Sequence, residues 1–514
     1  AGEENAPGQL SALTRWRADT TLDDWGTWIY VQDRESGDLW SACHQPVSAP
    51  VEEQEVLFYP YKAEFRQRDH GITLRTEVTV APEDDVEIRR IVLTNHENRP
   101  RTLALTSYAE VVLAPQATDR RHPAFNKLFI ESERIEQANG LLFQRRARSA
   151  EEKPLYLVHL LLPEKRNSKA LAAPSTYETD RARFVGRGQT PRSPKALTSS
   201  QPRLSGATGA TLDPIMALSQ EIELEPHEEV RLAYVTLVAA SREEALHLAR
   251  RYRTWSRIER AFDQACAQSE RELRRFGIDG PDLEHFQKLL SVLLYPHKAL
   301  RAEPDTLAEN EKGQSGLWPY AISGDHPILL LRIDNEEEIA LVQQALQAHT
   351  YWRDRQMKID LVILNRREEG YDQELQGRLN RLLMRMDSEN WLGRRGGIFL
   401  LRAAQIGRAG QVLLETAARA ILDGGRGLLA GQLEPLQAYP TRLPHFVPTA
   451  SAPLTDTPMP PVERPTGLHF DNGIGGFTAD GREYVIYLRP DERTPAPWIN
   501  VVANNPDFGF MVSE

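Results

Sequence analysis

ITLRTEVTVAPEDDVEIRRIVLTNHENRPRTLALTSY, residues 72–108, contains three runs in which apolar and polar residues alternate or apolar ones cluster. They are Ile72 to Val80, Glu87 to Leu93 and Thr102 to Tyr108, with turn punctuation at Asp69-His70-Gly71 and Asn95-His96-Glu97-Asn98. Successive strand side chains point to opposite faces, so such a pattern supplies an apolar face to bury. Working outward, Thr27-Trp28-Ile29-Tyr30-Val31 precedes the turn Arg34-Glu35-Ser36-Gly37, and Leu155 to Leu162 repeats the apolar pattern. Many strands at this spacing predict one large antiparallel β-sandwich over residues 1–240, closed sheet to sheet. Residues 187–215, rich in Gly, Ser, Pro and Thr, read as a long surface loop within it.

The period changes at Ser241-Arg242-Glu243-Glu244, where serine followed by acids marks a helix start. Residues 241–314 read as a helical linker, with helix to about Phe276 and again over Asp282 to Leu294. A small three-layer βαβ module is expected over 315–435. Its strands are Ile328–Ile333, Asp360–Leu364 and Gly397–Leu401, alternating with helices over Asn335–Arg353, Gln373–Met386 and Gly410–Leu422. Strand–helix alternation implies a parallel sheet covered by helices. Residues 436–466 are dense in proline and read as a linker. From 467 to 514 a glycine turn and strands at Glu483–Leu488 and Trp498–Ala503 read as the start of a second β-sandwich. An isolated hairpin is marginal in water, so the expectation is a fragment of a larger parent.

Composition narrows the function classes. The 514 residues carry a formal charge of −11, which argues against nucleic acid as a partner. No apolar run approaches the length of a membrane helix, so no direct membrane insertion is expected, and AGEENAPGQL lacks the features of a signal peptide. The two cysteines, Cys43 and Cys266, make neither a disulfide framework nor a metal spacing. A cytoplasmic setting, no metal and no cofactor follow as expectations.

Motifs with chemistry are few. No GxGxxG or GxxxxGK[ST] follows a strand, and Gly-Arg-Arg-Gly-Gly (393–397) precedes one, the wrong context for a phosphate cradle. Asp23-Asp24, Glu52-Glu53 and Asp84-Asp85 are only neighbours, and neighbours on a strand face opposite ways, so no glycosidase-type acid pair is assigned. The catalytic residues stay unknown. The loop 312–327 compresses Trp318, Tyr320, Ser323 and Asp325 among small residues. Aromatic faces beside hydroxyl and carboxylate groups suit a sugar; a turn closed by Asp325 with Trp318 plugging a core is the plainer alternative. The aromatic cluster Trp16, Trp25, Trp28, Tyr30 and Trp40 is open to the same two readings, sugar platform or sandwich core. Trp40, Gln45, Trp318 and Asp325 are the candidate glycan contacts.

Six stretches carry a resemblance. DDWGTWIYVQDRESGDLWSACHQPV (23–47), APEDDVEIRRIVLTNHENRPRTLALTSYAEVVLAP (81–115) and HPAFNKLFIESE (122–133) resemble the sandwich of glycoside hydrolase family 94, formerly glycosyltransferase family 36. KGQSGLWPYAISGDHPILLLRI (312–333), YWRDRQMKIDLVILN (351–365) and the end segment from Asn472 are similar to the cyclic β-1,2-glucan synthases. The resemblance implies a parent in which a membrane-embedded transferase makes β-1,2-glucan, a further domain cyclises it, and phosphorylase-like modules carry their catalytic acid in an (α/α)₆ barrel. No stretch of this chain reads as that barrel. The implied role is a carbohydrate-binding, accessory portion whose partners are β-1,2-glucan and the flanking catalytic modules. Phosphorylase or glycosyltransferase activity in the chain itself, and a structural spacer, are the alternatives.

Overall fold

The computed structural model describes residues 11–513 except 18, 20, 148, 150–151, 153, 165–174, 200–202, 368–373, 438–461, 490–491 and 505–507. Most of the expected proline linker, 436–466, lies outside the described residues. The chain forms two units, Ala1–Gln268 with Ser451–Glu514, and Ser269–Ala450.

In the first unit, Ile72–Val80 pairs antiparallel with Val86–Asn95, Leu74 opposite Leu93 and Thr76 opposite Ile91. Arg101–Pro115 then joins a different sheet. Among the described residues one sheet has nine strands, with Ile72–Val80, Val86–Asn95, Glu229–Ala239, Leu155–Pro163 and Gly140–Arg145 among them; the other has six, built around Arg101–Pro115 and Pro214–Leu224. Ile91, Leu93, Leu141, Phe143, Leu157, Leu161, Leu232 and Tyr234 meet Ile29, Val31, Leu103 and Leu105 in the core between the sheets.

The residues of opposite parity on the same strands are buried too. Val86, Ile88, Leu142, Val158, Leu160, Val235 and Leu237 face Ala245, Leu248, Tyr252, Ile258 and Phe262. These come from α1 (Arg242–Arg251), its C-cap Tyr252, and α2 (Trp255–Phe276). The nine-stranded sheet is thus covered on both faces, by sheet and by helices. The helix start holds as read: the Ser241 hydroxyl accepts from the Glu244 N–H at 3.2 Å, an N-cap that satisfies one of the orphan donors of the first turn.

The outer face of the six-stranded sheet is covered by side chains from residues 181–199 and by Leu204, and here the surface-loop reading needs correction in part. Two helical turns, Arg181–Val185 and Lys195–Thr198, set Phe184, Val185, Ala196 and Leu197 on Tyr30, Tyr108 and Ile215. Tyr30 donates to the Pro191 carbonyl at 2.7 Å and Gln32 to that of Leu197 at 2.6 Å. Ala196 and Leu197 anchor the stretch to the sheet while its polar residues, Arg187, Gln189, Arg192 and Lys195 among them, stay exposed.

The second unit is a three-layer α/β module. Its strands β1 (Ile328–Ile333), β2 (Asp360–Asn365), β3 (Ile398–Arg402) and β4 (Ala420–Asp423) are parallel, in the order β3-β2-β1-β4. β4 is a strand that a helical reading of Gly410–Leu422 misses: the helix stops at Ala417, and Ala420-Ile421-Leu422-Asp423 pairs with β1. Four residues are too few for periodicity to separate strand from helix. Leu329, Leu331 and Ile333 face α3 (Gly280–Leu294), α4 (Ile339–Asp354) and α5 (Glu374–Arg385). Ile328 and Leu330 face α6 (Arg408–Ala417) and the 3₁₀ turn Gln314–Tyr320. The fold is therefore multidomain, β plus α/β.

The tail carries two antiparallel ladders, Gly475–Phe477 with Tyr484–Ile486, and Ile499–Asn504 with Phe508–Ser513. Arg187 donates to the Thr494 carbonyl at 3.3 Å, a contact within the first unit.

Candidate functional site

The four candidate residues divide between the units. Trp40, in strand Leu39–Ser41, is 2% exposed among the inter-sheet core residues, its ring 5.1 Å from that of His70. Gln45 has both ends of its amide engaged: Nε2 donates to the Leu22 carbonyl at 2.6 Å and Oε1 accepts from Ser48 Oγ at 3.0 Å. Its neighbour Cys43 is a free thiol pushed up to about 11 by burial, against a small opposing pull from Arg89, so it remains protonated at neutral pH.

In the second unit Trp318 is 63% exposed on the 3₁₀ turn Gln314–Tyr320. Asp325 accepts from Gln314 Nε2 at 3.1 Å and forms an ion pair with Arg395. The compressed loop thus closes on itself through a glutamine and reaches the arginine of the 393–397 run.

Two buried acids of the sandwich are tied down by arginines. Asp119 accepts from Arg15 Nη2 at 2.7 Å and from Arg17 Nη2 at 2.5 Å. Burial alone would raise its pKa, but the two guanidinium groups outweigh this and hold it below the usual carboxylate range. Glu110 is shared by Arg15 and Arg181. Asp119, held ionised by its two arginines, cannot donate a proton near neutral pH. Among the described residues no group of three or more His, Cys, Asp or Glu is placed to hold a metal ion. Among them, too, no helix is long and apolar enough to cross a membrane.

The strand order β3-β2-β1-β4 reverses between β1 and β4, the point where open parallel sheets take ligands at their carboxyl ends. Here charges of the chain pair with one another. Arg332 reaches Glu415 at 3.1 Å and Asp423 at 2.8 Å, and Arg366 reaches Asp334 and, at 3.3 Å, Asp423. Glu338 accepts from the Asp334 N–H at 2.7 Å and packs so close to Gly424 that a Cβ there would lie 2.0 Å from its Oε2.

The amino ends of β2 and β3 differ. There an open pocket of about 520 Å³ is lined by Arg353, Trp391, Lys358 and Arg395 among others. The sequence holds one pointer to it, the Gly-Arg-Arg-Gly-Gly run, whose Arg395 and Gly396 form part of the wall. Arg353 and Lys358 fall within the stretch 351–365 quoted above, and Trp391 within none of the quoted stretches.

The family described as "Glycosyl hydrolase 94, supersandwich domain" matches residues 8–255 and 482–514. The cyclic beta-(1,2)-glucan synthase NdvB of Rhizobium meliloti (strain 1021) is 34% identical over 509 residues, 98% of this chain and 18% of that protein. The N,N'-diacetylchitobiose phosphorylase of Vibrio proteolyticus is 24% identical over 54% of this chain and 33% of its own length. The solabiose phosphorylase of Paenibacillus borealis is 24% identical over 47% of this chain and 29% of its own. The chain thus spans a third or less of each of these relatives.

Proposed function

The chain belongs to the glycosyl hydrolase 94 supersandwich family, and from that premise we propose that it is the carbohydrate-binding, accessory portion of a cyclic β-1,2-glucan synthase-like enzyme. The observation that carries this reading is the extent of the likeness. It runs through 98% of the chain with the synthase, whereas the phosphorylases match about half. In this reading the partners are β-1,2-glucan or a related oligosaccharide and the catalytic modules that flank the segment in its parent. The sequence divisions at 240, 314, 435 and 466 mark its working parts. Trp318 and Asp325 are the exposed members of the proposed glycan contacts. A cytoplasmic setting accords with Cys43 and Cys266 being thiols rather than a disulfide.

The 24% identity to two kinds of phosphorylase favours a second reading, in which the chain itself cleaves glucan with phosphate. One experiment separates the two. The chain is incubated with β-1,2-gluco-oligosaccharides and inorganic phosphate, with binding heat and glucose 1-phosphate measured in parallel. Binding without product is the expected result. Product formation overturns the accessory role, and the absence of both leaves the chain a spacer between modules.

A further inference from the structure

We infer that the pocket at the amino ends of β2 and β3 is a binding site for a short neutral oligosaccharide. The proposal rests on the carbohydrate-binding reading above and gives it a location that the carboxyl-end rule for parallel sheets would not nominate. Its volume of about 520 Å³ lies inside the range of about 300–1,000 Å³ typical of small-molecule sites.

Charge decides the ligand class. Three helices end at this pocket: α2 at Phe276, α4 at Asp354 and α5 at Arg385. Each helix carboxyl end carries roughly half a negative charge. Arg275, Arg353, Lys358 and Arg395 bring four positive charges to the wall, and Asp354 and Asp387 two negative ones. The sum lies within about one charge of neutral once the helix ends are included. A phosphate or a polycation gains little there. A hydroxyl-rich neutral molecule finds donors and acceptors of both kinds.

One donor is unused. Arg353 Nη1 is buried without a hydrogen-bond partner, a costly state for a polar group unless something meets it. Burial lowers the Arg353 pKa from its ordinary value, against the opposing pull of Asp354 and Asp387. The same guanidinium lies 4.3 Å from the centroid of the Trp391 ring, which fixes an aromatic surface in the wall. Sugar rings present CH groups to such a surface and hydroxyls to groups around its edge.

The rim is also preformed. Gln356 and Asp387 stand at φ of 60° and 50° where they end α4 and α5, and Gly396 at φ of 69°. The Gln356 N–H donates to the Arg353 carbonyl at 2.9 Å, the Asp387 N–H to that of Met384 at 3.1 Å, and the Gly396 N–H to Asp360 Oδ1 at 2.7 Å. A site whose turns are already closed loses little entropy on binding.

The test is titration calorimetry on the whole chain with linear β-1,2-gluco-oligosaccharides and, in parallel, malto-oligosaccharides. Trp391→Ala and Lys358→Ala are compared with the parent; Lys358 is exposed, so its removal does not threaten the fold. The expected result is binding that weakens about tenfold in Trp391→Ala and several-fold in Lys358→Ala, with unchanged circular dichroism. Unaltered Kd in both variants overturns the pocket while leaving the glycan-binding role intact. Binding of malto-oligosaccharides alone, lost in the variants, keeps the pocket and overturns the β-1,2-glucan reading. Binding of neither probe overturns both.

Discussion

His159 sits on strand Leu155–Pro163 with no solvent exposure to speak of, its ring parallel to that of Tyr234 at 5.6 Å. Nε2 lies 2.9 Å from Ser107 Oγ and Nδ1 2.9 Å from Thr236 Oγ1. Hydroxyls can serve a neutral imidazole at both nitrogens, donating to one and accepting from the other. Protonation has no such accommodation. Burial, with a smaller contribution from the Arg89 charge, lowers the pKa from 6.5 to about 3. The unfolded chain therefore takes up a proton first as pH falls. Stability from this group is complete above pH 6.5 and is lost progressively down to about 3. Within that window the slope is one proton, about 1.4 kcal/mol per pH unit, whatever the exact folded value. From pH 6.5 to 5 the first unit should lose about 2 kcal/mol through this one residue. Urea unfolding followed by amide exchange in Leu155–Pro163 and Glu229–Ala239 reads that unit specifically. His159→Gln keeps a donor and an acceptor without a titrating proton. The difference in unfolding free energy between parent and variant should shrink by about 2 kcal/mol over the window. A difference that stays constant from pH 7 to 5 would refute the argument.

Two further outcomes follow, one from a half-buried acid and one from an exposed ring. Asp84 accepts from Tyr252 Oη at 2.7 Å, Arg257 at 2.9 Å and Arg251 at 3.0 Å, tying the 80–86 turn to α1 and α2. Asp84→Ala should cost about 2–3 kcal/mol, seen as a lower urea midpoint of the first unit, and an unchanged midpoint would count against helix docking through this acid. Its carboxyl is held below the usual range, since Tyr252 and the arginines outweigh burial, so that contribution should vanish only on acidification below about pH 4. Trp318→Ala, at a side chain 63% exposed, should shift stability by no more than about 0.5 kcal/mol; a loss of glycan affinity in that variant then reports contact, and a large drop in melting temperature shows that the ring packs after all.

How much of this was legible in the sequence depends on what sets each feature. The alternation in 72–93 is local, so its strands and their pairing can be read directly. What covers each face cannot. Val86 and Ile88 face helices while Ile91 and Leu93 face the partner sheet, and nothing in VEIRRIVL distinguishes the two destinations. The α/β module was legible wherever strands were flanked by long helices, and failed at β4, where four residues follow a helix without a glycine or proline to mark the change. The aromatic cluster illustrates a deeper limit. Trp40 and Trp318 are the same residue type in similar company, yet one is 2% and the other 63% exposed. The pocket was hidden for another reason: Arg353 and Lys358 meet Trp391 only because three helix ends and two strand starts converge, a juxtaposition made by topology rather than spacing.

The double covering of the nine-stranded sheet bears on how this segment can change over evolution. A sheet with one wet face tolerates drift at every second position, because half of its side chains answer only to water. Here the central strands offer no such half, and a substitution at either parity meets a packed layer. Neutral variation is therefore channelled to the margin, to Glu53–Phe58, whose side chains are almost all exposed. A library built to alter specificity without collapsing the scaffold should be seeded there and in the loops, leaving the interior strands invariant.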